Sequence, residues 1–187
     1  KYVFPSPSTE KIEAQKLADH YPQKEVKIIV PTSAGGGNDT MARIITRKIG
    51  PLLGNVVSVD NRTGANGSVA AEYVAASQPD GHTLMFGYIA THGINPVMQT
   101  LRYNPETDFE PIMRLAEGLA FFVVRPDLNI SSLKDLLALA QAKPGQVTFG
   151  SEAVGSPSEF RMRLLGGLTG GYKMNHIPYN GMVPIIS

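Results

Sequence analysis

The sequence predicts an α/β protein built from two successive series of strands and helices. Three observations carry that expectation. Short β-branched runs alternate with segments of helical periodicity, glycine-rich turns join a strand to a helix at matching places, and the alternation restarts after a turn-rich interruption. Strands that alternate with helices in this way form mostly parallel sheets covered on both faces.

Residues 1–23 are polar and proline-interrupted, with a short helical pattern around Ile12–Ala18, and read as an N-terminal tail. Val26 to Val30 is a β-branched run bounded by Pro31 and reads as a buried strand. The turn from Thr32 to Gly37 leads to a helix from Asn38 to about Leu53. Asn38 or Asp39 is its expected cap, and Met41, Ile44, Ile45, Ile49 and Leu52 recur at helical spacing. Val56–Val59 is a second strand, Ser68–Ala76 a second helix, and Thr83–Gly87 a third strand after the Pro79-Asp80-Gly81 turn.

Asn95–Asp108 is rich in turn formers and interrupts the pattern. The second series runs Ala120–Val124 (strand), Ser132–Ala142 (helix), Val147–Gly150 (strand), Ser156–Thr169 (helix) and Lys173–Ile177 (strand). Ser132 with Asp135 resembles a capping box in which Asp replaces the usual Glu or Gln. Val183–Ile186 reads as the start of a further helix. The expected organisation is a tail (1–23), a first lobe (24–117) and a second lobe (118–187) that is incomplete within this chain.

Seventeen basic and sixteen acidic residues are interspersed, without the basic stripe that nucleic acid or an anionic membrane surface demands. The absence of cysteine excludes a thiol nucleophile, a disulfide framework and a cysteine-ligated metal. No apolar run has the length of a membrane span, so direct membrane insertion is not expected.

Three stretches carry candidate chemistry. Pro31–Asp39 joins a strand to a helix start, where amides and the helix dipole suit an anion, and its three glycines let a ligand approach the backbone. Gly150–Ser158 repeats the arrangement in the second series, with Ser156 as N-cap and Pro157 at the first helical position. Gly87–Pro96 follows the third strand and offers Tyr88, Thr91, His92 and Asn95, which serve equally well to satisfy local backbone groups. Ligands in open α/β sheets bind outside the C-terminal strand ends, where all three stretches fall.

The catalytic alternatives are weak. Gly35-Gly36-Gly37, with Asp60 ending the second strand, is a near-match to a dinucleotide fingerprint. Thr40 replaces its last glycine, and four residues separate the strand from the first. His20, His82, His92 and His176 are scattered, without the i,i+4 spacing of a metal site, and Gly-x-Ser-x-Gly does not occur. Neither a cofactor nor enzymatic activity is expected.

Several ordered motifs carry a family resemblance. They are Tyr21-Pro22, the Ile29-Val30-Pro31 strand with its glycine loop, and Val59-Asp60-Asn61-Arg62-Thr63-Gly64-Ala65-Asn66-Gly67. Ala75 to Leu84, Thr91 to Pro96 and His176 to Gly181 follow at consistent spacing. From about residue 21 to its end the chain resembles the Bug family, periplasmic solute receptors of tripartite tricarboxylate transporters.

The resemblance implies a two-lobed type II periplasmic-binding-protein fold that closes on a small organic acid and presents it to membrane permease subunits. It implies a carboxylate held by backbone amides, hydroxyls and waters rather than by an arginine. Carried over, Thr32, Ser33, Gly36, Gly37 and Asn38 line one wall, and Ser151, Ala153, Ser156 and Ser158 the other. Thr91, His92 and Tyr179 join the set. Departures stand at Ala153, where the family commonly has glycine, at Glu159 for a frequent histidine, and at Asn180 for lysine or arginine. Family members also continue well beyond Ser187, so a truncated receptor is expected. The ligand is a mono-, di- or tricarboxylate, aromatic acids included. A carboxylate-sensing or interaction module and a nucleotide-dependent enzyme using Asp60 are the alternatives.

Overall fold

The structure is a computed structural model that describes residues 20–186. The helical pattern around Ile12–Ala18 lies outside the described residues. The chain divides into two compact units, the first ending at Gly87 and the second beginning at Tyr88. This division falls well before the lobe boundary expected at residues 117–118.

In the first unit, β1 (Val26–Val30) is followed by α1 (Gly37–Leu53), β2 (Val57–Asn61), α2 (Ser68–Ala75) and β3 (Thr83–Met85). The three strands form one parallel sheet in the order β2-β1-β3. Val26 pairs with Val57 and Ile29 with Asp60 on one side, and Lys27 pairs with Thr83 on the other. The central strand is therefore the most apolar: Val26, Ile29 and Val30 are fully buried. Ile28 and Val30 pack with Ala42 of α1 and with Phe86, and Met41, Ile49, Val59 and Leu84 close around them. Of the five positions at helical spacing, Met41 and Ile49 pack against this core, whereas Ile44 and Leu52 are exposed.

Two contacts fix the entry to β1. The Tyr21 hydroxyl donates to the Gly81 carbonyl at 2.7 Å, and the Lys24 ammonium pairs with Asp80 at 2.8 Å. Both hold the chain against the turn that precedes β3.

The α1 cap differs from expectation. Gly36 is the N-cap, and no side chain caps the helix. The glycine run lets the helix begin ahead of Asn38, so Asp39 falls inside the first turn and reaches backward to the Gly35 N–H instead. At the other end Gly54 takes the left-handed conformation (φ 64°) that stops the helix after Leu53.

In the second unit a π-turn (Ala90–Ile94) runs into the short α3 (Asn95–Met98). Then come α4 (Leu133–Ala142), β4 (Thr148–Ser151), α5 (Pro157–Leu168), β5 (Asn175–Pro178) and the short α6 (Val183–Ile186). β4 and β5 form a two-stranded parallel sheet with Phe149 opposite His176 and Ser151 opposite Pro178. The capping box of α4 is present: the Ser132 hydroxyl accepts the Asp135 N–H and donates to the Asp135 carboxylate. The Asp135 carboxyl is held below the ordinary range, first by that hydroxyl.

The strand expected at Ala120–Val124 is not formed. These residues take no regular secondary structure, with Phe121 79% and Val123 83% exposed. A strand exists only through its ladder, and no described strand pairs with this segment. Its β-propensity alone supplies no partner for the backbone.

Candidate functional site

The strand-to-helix loops of the two units share one construction. In the first, the Asp39 carboxylate is buried in the first turn of α1. It accepts the Gly35 N–H at 2.8 Å and the Arg43 Nε–H at 3.0 Å. In the second, the Glu159 carboxylate is buried in the first turn of α5. It accepts the Gly155 N–H at 2.7 Å and the Arg163 Nε–H at 2.7 Å. In each loop the acid lies four residues after a glycine in the left-handed region and four residues before an arginine. An anion at a helix N-terminus is favoured by the dipole and by the free amides there, and here the chain itself supplies it.

The environment of each acid is reflected in its ionisation. Asp39 is lowered to about 2, first by the hydrogen bond from Arg43, with burial opposing and the Gly35 amide assisting. For Glu159 burial pushes upward, but the Gly155 amide, Arg163 and His176 together leave it below the usual range. Both are therefore carboxylates at neutral pH, each balanced by its own arginine.

The expected residues of the first loop all lie around this device. The Thr32 carbonyl accepts Asn61 Nδ2–H at 3.0 Å, and the Thr32 hydroxyl is buried without a hydrogen-bond partner. The Ser33 carbonyl accepts the Gly36 N–H, closing the turn, and Gly36 accepts from Thr40 as the helix begins. Gly37 is exposed and Asn38 half-buried on the same helix start. Arg43 also donates to Asn61 Oδ1 at 3.1 Å, so Asp39, Arg43, Asn61 and Thr32 form one chain of bonds from α1 across the end of β2 to the loop. Arg43 and Asn61 were not among the residues expected at the site. The i,i+4 spacing of Asp39 and Arg43 was the available signal.

The second loop is more completely satisfied. Ser151 is fully buried; its hydroxyl donates to the Ala153 carbonyl at 2.9 Å and lies 2.5 Å from His176 Nε2. Ser156 is the N-cap of α5, its Oγ accepting the Glu159 N–H and lying 3.0 Å from Ser158 Oγ. Ser158 Oγ also accepts the Glu152 N–H at 3.2 Å. Tyr179 donates its backbone N–H to the Ser151 carbonyl at 2.8 Å, and its ring packs over Gly150. Ser151, Ala153, Ser156, Ser158 and Tyr179 are thus brought together at the end of β4.

Thr91 and His92 belong to the same unit. Thr91 is fully buried, and its hydroxyl donates to the Tyr88 carbonyl at 3.0 Å and meets His92 Nδ1 at 2.8 Å. The His92 ring lies edge-on to Phe109, and desolvation lowers its pKa. The Tyr88 hydroxyl is raised, first by burial and then by the nearby Glu152 charge, which places this stretch beside the second loop.

Asp60, the acid of the nucleotide alternative, is ion-paired with its neighbour Arg62. The Asp60 carboxylate is bonded by Arg62 Nε at 2.9 Å, and the Arg62 guanidinium lies over the Tyr73 ring. Among the described residues no group of three metal-ligating side chains converges. No helix among them is long and apolar enough to cross a membrane.

Comparison with known proteins gives the chain a family. Residues 41–187 match the model of the tripartite tricarboxylate transporter family receptor. Protein BugT of Bordetella pertussis is 34% identical over 96% of this chain and 55% of its own length. A protein from an intergenic region of Agrobacterium vitis is 36% identical over 90% of this chain and 49% of its own. The chain spans about half the length of the curated relatives it matches.

Among solved structures, one of an R. palustris protein with adipate superposes with a TM-score of 0.84 at 32% identity, covering 89% of this chain and 56% of that one. MatC from Rhodopseudomonas palustris with bound malate gives 0.76 at 29%, over 89% of this chain and 56% of its own. The periplasmic binding protein BugD gives 0.70 at 27%, over 89% and 55%. These relatives are solute-binding receptors rather than enzymes, and they share the α/β fold of periplasmic binding proteins. By its family match, this chain is a member of the tripartite tricarboxylate transporter receptor family, also called Bug.

Proposed function

We propose that this chain carries the ligand loops of a periplasmic receptor that binds a small organic dicarboxylate and delivers it to the membrane permease of its transporter. The observation that carries the reading is the doubled loop device. Each strand-to-helix loop buries one acid, balances it with an arginine four residues on, and leaves the rest of a helix start for an outside anion.

The ligand class is argued from relatives of the same fold solved with adipate and with malate. Thr32, Ser33, Gly36, Gly37 and Asn38 supply hydroxyl and amide donors from the first loop. Ala153 and Ser158 supply them from the second, with His92 and Tyr179 at hand in the same unit, while the fully buried Ser156 and Thr91 support the loop and the turn from behind. Neither arginine is left over for the ligand, so recognition rests on neutral donors, and bridging waters extend their reach without loss of strength.

Thermal unfolding in the presence of adipate, malate, citrate, glutamate and terephthalate tests the reading. A ligand that binds only the folded state raises the midpoint with concentration, by about 2.7 kcal/mol in stability at a hundredfold excess over Kd. At least one dicarboxylate is expected to do so. A midpoint indifferent to all five overturns the proposal.

A further inference from the structure

Ser151, His176 and Glu159 stand in one line of contacts in the second unit. His176 Nε2 lies 2.5 Å from Ser151 Oγ, and His176 Nδ1 lies 3.4 Å from Glu159 Oε1. A hydroxyl, an imidazole and a carboxylate in that order are the parts of a nucleophile–base–acid relay. Two facts deny this one that chemistry. Ser151 is fully buried, so its oxygen meets no substrate atom. Its hydroxyl has the Ala153 carbonyl as an acceptor at 2.9 Å, and with the hydrogen given to that carbonyl the oxygen faces the imidazole as an acceptor and Nε2 is the donor. A ring that donates to a hydroxyl does not deprotonate it.

What the line does hold is geometry. The His176 ring is stacked on Phe149, its β4 partner in register, at 4.9 Å and 14°. The ring is thereby fixed by the sheet. Glu159 Oε1 receives Arg163 and faces His176, while Oε2 receives the Gly155 N–H at the bend where Gly155 has φ 74°. One buried carboxylate therefore joins the first turn of α5, the bend of the loop and β5. On the other side of the ring, Ser151 is tied to Ala153, whose carbonyl also accepts the Ser156 N–H.

We propose that His176, backed by Glu159 and Arg163, is a positioning residue for the 151–158 ligand loop, and that Ser151 acts through this relay rather than by touching the ligand. The inference rests on the carboxylate-receptor reading for the ligand, but the relay itself has readouts that need no ligand. Arg163 balances the buried acid, so the loop receives an outside carboxylate without a naked charge beneath it.

The test uses the whole protein in four forms: wild type, His176→Phe, His176→Gln and Glu159→Gln. Phe keeps the stack on Phe149 and removes both ring nitrogens; Gln restores a donor toward Ser151. In wild type, the ¹⁵N spectrum of His176 is expected to show a protonated Nε2, and Gly155 to be protected from amide exchange. Glu159→Gln replaces a charged acceptor with a neutral one and is expected to speed Gly155 exchange about fivefold. His176→Phe is expected to weaken adipate binding about tenfold, with most of the loss recovered in His176→Gln.

An unprotonated Nε2, Gly155 exchange unmoved in Glu159→Gln, or equal adipate affinity in His176→Phe and wild type overturns the relay. Wild-type protein that binds neither adipate nor malate overturns the carboxylate reading instead. The ¹⁵N and exchange arms then decide the relay on their own.

Discussion

Glu159 accepts the N–H of Gly155 at 2.7 Å, the same relationship across four residues that joins Asp39 to Gly35 at 2.8 Å. Each loop thus engages one of its amides with an internal acid. Each acid is also balanced by the arginine four residues on, so neither loop holds an uncompensated buried charge.

Asp39 ties loop stability to acid pH. Its folded pKa of about 2 lies below the 3.8 of an unperturbed Asp, so the stability it contributes is complete above about pH 4 and is lost as pH falls through 2. Urea unfolding across that window should show the decline. Asp39→Asn should flatten it and cost about 1–3 kcal/mol at pH 7, because Arg43 loses its charged acceptor. An unchanged pH profile in the variant contradicts the assignment.

Gly37 separates stability from binding. A Cβ there meets nothing within 4 Å, and the residue starts α1 with an ordinary negative-φ backbone. Gly37→Ala should therefore keep or raise stability, by up to about 1 kcal/mol. If a carboxylate approaches this backbone, the added methyl obstructs it and costs about 1–3 kcal/mol of affinity. Paired unfolding and binding measurements should move in opposite directions; unchanged affinity would remove Gly37 from the site.

Gly150 seats a candidate ligand residue. A Cβ on Gly150 would lie 3.2 Å from Tyr179 Cε2 and 3.1 Å from Ile185 Cγ2. Gly150→Ala should displace the Tyr179 ring and cost about 1–3 kcal/mol in stability. Shifted Tyr179 ring resonances in NMR, with weaker ligand binding, check the placement. A variant with wild-type spectra and stability shows that the ring does not rest on Gly150.

The fold was legible where periodicity and burial agree. Val26–Val30 reads as a central strand because every residue but Lys27 is buried, and its partners follow from the βα alternation. The helix boundaries also followed from local chemistry, Ser132 and Ser156 serving as caps where the sequence placed them. Asp39 was harder. A capping residue and a first-turn acid look alike until the glycine run decides where the helix begins. Ala120–Val124 was illegible for a different reason, since a strand-forming composition does not say whether a partner strand is at hand.

At the site, the two loops were visible as Gly/Ser turns between strand and helix. Their commitments were not: nothing in the spacing of Ser151 and His176 shows that they meet at 2.5 Å, because only the β4-β5 register brings them together.

Thr91 and His92 predict a second pH effect. Desolvation depresses the His92 pKa, so its contribution is present above the unfolded value near 6.5 and falls away as pH drops through the lower folded value. Proton NMR titration should find His92 titrating below an unfolded-peptide histidine. Thr91→Val, which removes a buried hydroxyl bonded to the Tyr88 carbonyl and to His92, should cost about 1–2 kcal/mol and change that titration. A His92 curve at the ordinary value in both proteins contradicts the packing around it.

The most direct measurement is calorimetric titration of the protein with adipate and malate. The account predicts saturable one-to-one binding of at least one of them, weakened by Gly37→Ala. Absence of binding heat with either acid at several temperatures, from folded protein, would contradict the claim that these loops receive a carboxylate.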